Sequence, residues 1–235
     1  MENLTDDRGY NQVWADAKST RVRAARRCRY LISQMAFDSS KSLMEIGCGL
    51  GTNAYLIAKA TGLQVLATDL CDPFIEEARR NNDLPNLHYQ VLDFHRADQL
   101  QGQRFDYIVG NGILHHLYFR LDEALTRIRD LLKDDGRMLF FEPNLENPYV
   151  YFIFRYARIR RWARLEPDEM AFSKSFISEK LSRAGYRGIR VEYKDFLLPG
   201  IPDFLITPSI VVGDMLEKIP LLKRASQSLF ISAVK

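Results

Sequence analysis

The chain has 235 residues, 46% of them apolar, which is enough to bury the core of one elaborated domain. Its polar, acidic beginning predicts no secretory signal, and its three cysteines suggest no disulfide framework, so we expect a cytoplasmic protein. The longest apolar stretch, residues 196–213, is interrupted by three prolines, which argues against an ordinary membrane span. The net charge of +3 is too small for a dedicated nucleic-acid binder.

Strands and helices are predicted to alternate along the chain. After a helix over residues 10–36, strands at 42–46, 64–68, 87–92, 105–110 and 137–141 alternate with helices at 53–60, 72–81 and 121–132. Later residues predict helices at 147–164 and 175–184 and strands at 189–193 and 229–234. Strands that alternate with helices pair in parallel, and such sheets bind ligands beyond the carboxyl ends of their strands.

Three segments lie outside this alternating core. Residues 1–36 are predicted to form an N-terminal helical cap on a domain of residues 37–235, with lid insertions at about 143–174 and 196–227. Both insertions are rich in large apolar side chains, and Pro199, Pro202 and Pro208 are expected to break the second into short pieces. Residues 21–29 and 155–164 hold five arginines each, which suits anionic ligands or a membrane surface. Solvated helix faces are the plainer interpretation of both clusters.

A glycine-rich turn follows the first predicted strand, in the sequence Glu45-Ile-Gly-Cys-Gly-Leu-Gly-Thr52. Glycine there allows a left-handed backbone, and the following helix N-terminus offers unpaired N–H groups to a ligand. Two cofactors fit this pattern. A dinucleotide fingerprint at Gly49, Gly51 and Ala54 starts two residues late relative to the strand. S-adenosylmethionine (SAM) carries a cationic amino group, which suits the acid at Glu45.

The glycine turn resembles motif I of the class I SAM-dependent methyltransferases, and further motifs follow in order. ATDL, VLDFH, FDYIVGNGILHHL, LLKDDGRMLFFEPN and LFISAVK match the family over about residues 40–142 and 175–235. The resemblance implies an α/β, Rossmann-like, seven-stranded sheet, mostly parallel with an antiparallel last strand, helices on both faces and a helical, apolar lid. It also implies SAM as the cofactor and indicates a subset that acts on small-molecule or lipid-type acceptors.

The same resemblance assigns cofactor contacts. It implies that Asp69 holds the ribose hydroxyls, that Asp93 reaches the adenine amino group beside Phe94, and that Tyr10 and Trp14 close over the cofactor. The whole predicted cofactor set is Glu45, Gly47, Cys48, Gly49, Gly51, Asp69, Leu70, Asp93, Phe94, Asn111, Tyr10 and Trp14.

Methyl transfer is an in-line displacement in which the protein aligns the acceptor and excludes water. A base is needed only where the acceptor atom is protonated, and the candidates after the strands are His116, His115 and Glu142. We expect no metal site, because the histidines and cysteines have no zinc-ligand spacing. The predicted acceptor contacts are Tyr149, Phe152, Phe196 and Phe204.

The sequence thus predicts O-, C- or N-methylation of a small or amphiphilic acceptor, with peripheral contact to the inner face of a membrane. A non-catalytic SAM-binding protein of the same fold, an RNA methyltransferase and a nicotinamide oxidoreductase are the alternatives. A nucleic-acid partner is not favoured, and the oligomeric state is left open. The [DN]PP[YF] sequence of DNA amino-methyltransferases is replaced after the fourth strand by NGIL.

Overall fold

The computed structural model describes residues 17–93, 97–100, 102–163 and 165–235. Within them the chain forms a seven-stranded sheet of order β3-β2-β1-β4-β5-β7-β6. All neighbouring strands are parallel except at β7, which runs antiparallel to β5 and β6. The strands are β1 (Ser42–Ile46), β2 (Gln64–Asp69), β3 (Leu87–Val91), β4 (Phe105–Asn111), β5 (Leu132–Pro143), β6 (Arg187–Lys194) and β7 (Ser228–Val234). The predicted α/β fold with its antiparallel last strand is confirmed.

Helices cover both faces of the sheet, because successive strand residues point to opposite sides. Leu43 of β1 packs in one apolar cluster and Met44 in the other. Helices α1 to α3 cover the first face, whereas α4 and α7 cover the second. The helices are α1 (Lys18–Ser33), α2 (Thr52–Thr61), α3 (Asp72–Asn81), α4 (Leu121–Leu131), α5 (Pro148–Arg155), α6 (Ala157–Trp162), α7 (Lys174–Arg183) and α8 (Asp203–Leu216), and short 3-10 helices span Ala97–Leu100, Leu114–Arg120 and Leu222–Ala225.

Helix α1 is built into the first of these faces. Cys28 and Leu31, both of α1, and Met35 beyond it are buried in the same cluster as residues of β1, β2 and β5. The predicted division of the chain at residue 36 stays a prediction, and the first part of the predicted 10–36 helix lies outside the described residues.

Strand β5 begins five residues earlier than the sequence indicated. The Asp-Asp-Gly sequence at 134–136, which falls between the predicted helix and the predicted strand and is typical of a turn, lies inside β5, where the pairing with β4 shifts register. Asp135 takes a positive φ of 61° there, and a Cβ on Gly136 would lie 2.8 Å from the carbonyl oxygen of Lys133. The turn-forming residues therefore make a bulge instead of ending the strand.

The two insertions differ from prediction in opposite ways. The helix predicted over 147–164 is split, because Tyr156 takes an extended backbone between α5 and α6. The second insertion was expected in short pieces, and this is wrong, because α8 is a 14-residue helix that contains Pro208. Proline removes the hydrogen bond to the carbonyl four residues earlier, at Phe204, and its ring crowds that carbonyl. Both residues are exposed, so water can take that bond. No helix among the described residues is long and apolar enough to cross a membrane.

Candidate active site at the carboxyl ends of the strands

The glycine turn after β1 leaves room for a ligand at one position and is closed by packing at another. A Cβ on Gly51 would lie 2.6 Å from the Tyr89 ring, and Gly51 has φ of 74°, so this position requires glycine. Gly49, with φ of 51°, would place a Cβ in open space. Gly51 is the residue before α2 and supplies no side-chain cap, so the N–H groups at the start of α2 must find partners elsewhere.

Glu45 is a buried carboxyl beside this turn. The side chain of Asn53 and the backbone N–H of Ala54 donate to it, yet its Oε2 atom has no hydrogen-bond partner among the described residues. Burial raises the pKa of Glu45 to about 8, and the charge of Asp69 adds to the increase. A buried carboxyl with an unused oxygen fits the cationic amino group of SAM, whose charge would favour the ionised form.

Asp69 connects the glycine turn to the end of β2. Its Oδ2 accepts from the Gly49 N–H at 2.8 Å and its Oδ1 accepts from the Cys71 N–H at 2.9 Å. Each oxygen keeps a lone pair, so the carboxylate fits the pair of ribose hydroxyls of SAM. Leu70, the residue after Asp69, is exposed. The thiol of Cys48 in the glycine turn is buried, and burial raises the pKa of this thiol. Asp93 is half-buried two residues after β3.

Three of the predicted cofactor contacts, Tyr10, Trp14 and Phe94, lie outside the described residues. Gly47 packs against Ile113, which follows β4. Asn111 at the end of β4 accepts a hydrogen bond at Oδ1 from Arg27 of α1, at 3.0 Å. The predicted contacts that can be placed are thus assembled along β1, β2 and β4, which is where parallel sheets bind ligands.

Glu142 at the end of β5 holds the segment that carries the histidine pair. The backbone N–H groups of Ile113, Leu114 and His115 donate to its carboxylate over 2.8–3.2 Å. The Nδ1 atom of His115 lies 2.8 Å from Glu142 Oε2. Glu142 is buried and saturated with donors, so its carboxylate anchors and orients His115.

His116 is held by the segment between α6 and α7. Its Nδ1 atom lies 2.9 Å from Glu169 Oε1 and 3.6 Å from Glu166 Oε2, and both glutamates are buried. Burial alone would lower the pKa of His116, but the close contact of its ring nitrogen with the accepting carboxylate of Glu169 and the charges of Glu169, Glu166 and Glu142 raise it above its usual value. Sequence patterns missed the two glutamates, because nothing in the 165–173 segment marks a return to the strand ends.

One group in this region has metal-ligating atom types. Atoms of His115, His116 and Glu169 lie within 4.8 Å of one another. The Nδ1 atoms of both histidines already face carboxylates, at 2.8 Å and 2.9 Å. The expectation that the chain has no metal site stays a prediction.

The predicted acceptor contacts lie on the two insertions. Tyr149 and Phe152 are exposed on α5, whose start is tied to the 3-10 helix before β7 through the bond from Asn147 to the Ala225 carbonyl. Phe196 is half-buried and packs against Gly213 of α8, where a Cβ would lie 2.8 Å from it. Phe204 is 77% exposed on the outer side of α8. Tyr149 and Phe196 are therefore nearer the protein interior than Phe204.

Comparison with known proteins identifies the family. A family model described as a methyltransferase domain matches residues 44–138. The highly reducing polyketide synthase azaB of Aspergillus niger is 28% identical over 173 residues, which cover 65% of this chain and 7% of that protein. The S-adenosyl-L-methionine-dependent Diels-Alderase iccD of Talaromyces variabilis is 30% identical over 125 residues, or 49% of this chain and 42% of that protein. The chain thus spans only a small part of the polyketide synthases that it matches.

Solved structures agree on the fold. A SAM-dependent methyltransferase from Archaeoglobus fulgidus is 18% identical with a TM-score of 0.63, covering 93% of this chain and 95% of that one. The CurJ carbon methyltransferase is 20% identical with a TM-score of 0.61, covering 93% of this chain and 55% of that one. With the matched domain over residues 44–138, the strand order and the carboxylates beside the glycine turn, the chain has a methyltransferase domain of the class I SAM-dependent fold, and SAM is its cofactor.

Proposed function

We propose that the protein transfers the methyl group of SAM to a small-molecule acceptor whose acceptor atom must lose a proton. One observation carries this proposal: the 2.8 Å contact between His115 Nδ1 and Glu142, at the ends of β4 and β5. A buried carboxylate on one ring nitrogen fixes the tautomer, so that the other nitrogen carries the lone pair that can take a proton. An acceptor without a proton to lose would need no such pair.

When bound, SAM supplies an electrophilic methyl group on a sulfonium. His115 Nε2 takes the proton from the acceptor atom, and Glu142 stabilises the imidazolium that forms. The acceptor electron pair forms the bond to the methyl carbon as the carbon–sulfur bond breaks, which leaves S-adenosylhomocysteine. Because the backbone of residues 113–115 is fixed on Glu142, the ring is held in place before the acceptor arrives.

The similarities support a carbon or oxygen acid as the acceptor. The polyketide synthases share 28% and 29% identity with this chain over more than 170 residues each. The CurJ protein, whose fold it shares, is named a carbon methyltransferase. We extend that chemistry to this chain: an activated carbon between electron-withdrawing groups, or a hydroxyl, is the acceptor class that uses a histidine base.

The test is transfer of labelled methyl from SAM to small molecules of a cell extract, with the product identified by mass. His115→Gln should reduce the rate by about 10²–10⁴-fold, the usual contribution of a positioned base, without changing the affinity for S-adenosylhomocysteine. His88→Gln is the matched control, since His88 is exposed on β3. A methyl-transfer rate of His115→Gln within threefold of wild type would show that His115 is not the base.

A second function is favoured by the 30% identity to SAM-dependent Diels-Alderases. In such a protein SAM is required while its methyl group is retained. The two functions differ in one product, because only methyl transfer releases S-adenosylhomocysteine. A non-catalytic SAM-binding protein would release none and would convert no substrate.

We further propose that the acceptor is amphiphilic and is taken up at a membrane surface. Phe204, Met215 and Trp162 are 77%, 62% and 69% exposed on α8 and α6. Arg158 and Arg161 are exposed on α6 together with Trp162. Large exposed apolar side chains with adjacent basic residues are typical of helices that lie at lipid interfaces.

Vesicle flotation tests this membrane proposal. Wild type should float with vesicles of phosphatidylcholine and phosphatidylglycerol, less so at high salt, and Arg158→Glu with Arg161→Glu should abolish it. The matched control is Arg80→Glu with Arg183→Glu, which changes arginines exposed on α3 and α7. Equal flotation of both double variants, or none by wild type, would contradict the membrane contact.

A further inference from the structure

Arginines of α1 face a cavity between α1 and α8. The cavity has a volume of about 370 Å³, and its lining includes Arg26, Arg27, Arg29, Tyr30, Phe141 and Asp195. Small-molecule sites typically have a few hundred cubic ångströms and aromatic walls with a few polar groups. Lys194, Asp214 and Glu217 complete its charged lining, so four basic side chains face three acidic ones.

Arg27 lies at the inner end of the cavity. Its Nε donates to Asp195 Oδ2 at 3.0 Å, its Nη1 donates to Asn111 Oδ1 at 3.0 Å, and its Nη2 donates to Ser228. Arg23, one turn earlier on α1, donates to the same Asp195 oxygen at 2.6 Å. Two guanidinium groups therefore share one carboxylate, which is itself only 9% exposed.

At the inner end of the cavity, the two positive charges of Arg23 and Arg27 contact only one negative charge in the part of the chain that the structure describes, that of Asp195. Burial and the neighbouring charge of Arg23 together lower the pKa of Arg27 to about 10. The charges of Asp195 and of the more distant Glu142 oppose this change. Glu142 is already saturated by three backbone N–H groups and His115. A buried cation that shares its counterion is stabilised by an anion that arrives with a ligand.

Arg29 lies at the same cavity and is exposed. Among the described residues no carboxylate lies within ion-pair distance of it, whereas Arg26 pairs with Asp214 at 2.5 Å and Lys194 with Glu217 at 3.1 Å. Arg27 uses three of its five N–H donors in the described bonds, and Arg29 has no carboxylate partner among the described residues, so both keep donors for a ligand. Arginine binds carboxylates and phosphates well, because its planar donors match two oxygens at once.

The cavity lies on the acceptor side of the site. Ser228 begins β7, Asp195 follows β6 and Phe141 belongs to β5, all on the half of the sheet away from β1 and β2. The groups that fit SAM, Glu45 and Asp69, belong to β1 and β2. Arg27 bridges the two halves, because it reaches Asn111 at the end of β4.

We propose that this cavity binds an anionic group of the acceptor, a carboxylate or a phosphate, through Arg27 at its inner end and Arg29 at its rim. The proposal rests on the methyl-transfer function, because it identifies the ligand of the cavity as the methyl acceptor. It places the anion on the α1 face of the sheet while the reacting atom meets His115. The acceptor is then an anionic small molecule long enough to reach both points.

The first experiment measures binding of malonate and of inorganic phosphate to the protein loaded with S-adenosylhomocysteine, by calorimetry. Wild type should show saturable binding of at least one probe, and the stronger probe distinguishes a carboxylate from a phosphate acceptor. Arg27→Met should weaken it by about 10- to 100-fold, the usual effect of losing a charge-assisted hydrogen bond. Arg29→Met, at an exposed position that folding does not need, should weaken it several-fold. Arg21→Met is the control, since Arg21 is exposed on α1 outside the cavity lining.

Two results would overturn the proposal. One is the absence of saturable binding by wild type, or equal binding by Arg29→Met, Arg27→Met and Arg21→Met. The other is a loss of affinity in Arg27→Met for S-adenosylhomocysteine but not for methylthioadenosine, which lacks the amino-acid carboxylate. That result would assign Arg27 to the cofactor instead of the acceptor. Neither measurement requires turnover, so failure of the methyl-transfer proposal would be seen separately in the labelled-methyl assay.

Discussion

Glu45 is expected to release a proton when the cofactor binds. Its pKa is raised by burial to about 8, so at pH 7 about nine tenths of the molecules carry a proton on this carboxyl. The amino group of SAM or S-adenosylhomocysteine is cationic, and an adjacent positive charge favours the carboxylate. Binding should therefore release most of a proton per site at pH 7, and less as the pH rises toward 9, where Glu45 is already largely ionised.

Calorimetry measures this number directly. S-adenosylhomocysteine is titrated at pH 7 in buffers of different ionisation enthalpy, and the slope of the observed enthalpy against that enthalpy counts the protons. Glu45→Gln should reduce the slope nearly to zero, whereas Glu76→Gln, at an exposed position on α3, should leave it unchanged. A wild-type slope near zero at pH 7, or the same slope in Glu45→Gln, would refute the assignment of Glu45 to the amino group.

Four other substitutions test the site. Asp69→Ala should weaken cofactor binding by about 2–4 kcal/mol, because the two ribose hydroxyls lose a charged acceptor. Circular dichroism should still report a folded protein. Unchanged affinity would show that Asp69 does not bind the ribose. Gly51→Ala should lower the melting temperature, because the new Cβ would lie 2.6 Å from the Tyr89 ring. Gly49→Ala should have a melting temperature near that of wild type but bind the cofactor less well. Equal melting temperatures of the two variants would contradict the packing argument. His116→Gln should leave cofactor affinity intact and lower methyl transfer. Because the pKa of His116 is raised on folding, its stabilising effect is full below the unfolded value of about 6.5 and lost as pH rises through the folded value. The difference in melting temperature between wild type and His116→Gln should therefore shrink from pH 6 to pH 8, and a difference that grows would contradict the ion pair with Glu169.

The sheet was predictable from the sequence because its signals are local. An apolar run that ends at Gly47, or at Asp69 before the Asp72-Pro73 helix start, marks a strand end without reference to the rest of the chain. Strand β5 was predicted too short because the Asp-Asp-Gly signal of a turn also suits a bulge. Whether such residues end a strand depends on whether the neighbouring strand continues, and this is a tertiary property.

The acceptor side was harder to predict for the same reason. The arginine cluster of residues 21–29 was visible, but Arg27 could be connected to Asn111 only once α1 lay against the strand ends. Glu169 is 53 positions from His116 and has no motif around it, so the contact between them arises from the path of the insertion. Pro208 was interpreted as a helix breaker, although an exposed helix can lose one hydrogen bond to water.

The central claim is methyl transfer to a small molecule. Its most direct test measures, in one reaction, the methyl group of SAM and the S-adenosylhomocysteine that remains. The protein is incubated with methyl-labelled SAM and a cell extract, and S-adenosylhomocysteine and labelled small molecules are quantified together. The account predicts equal amounts of both, lost together in His115→Gln and retained in His88→Gln. Conversion of an extract component with SAM recovered intact, or label found in RNA instead of a small molecule, would contradict it.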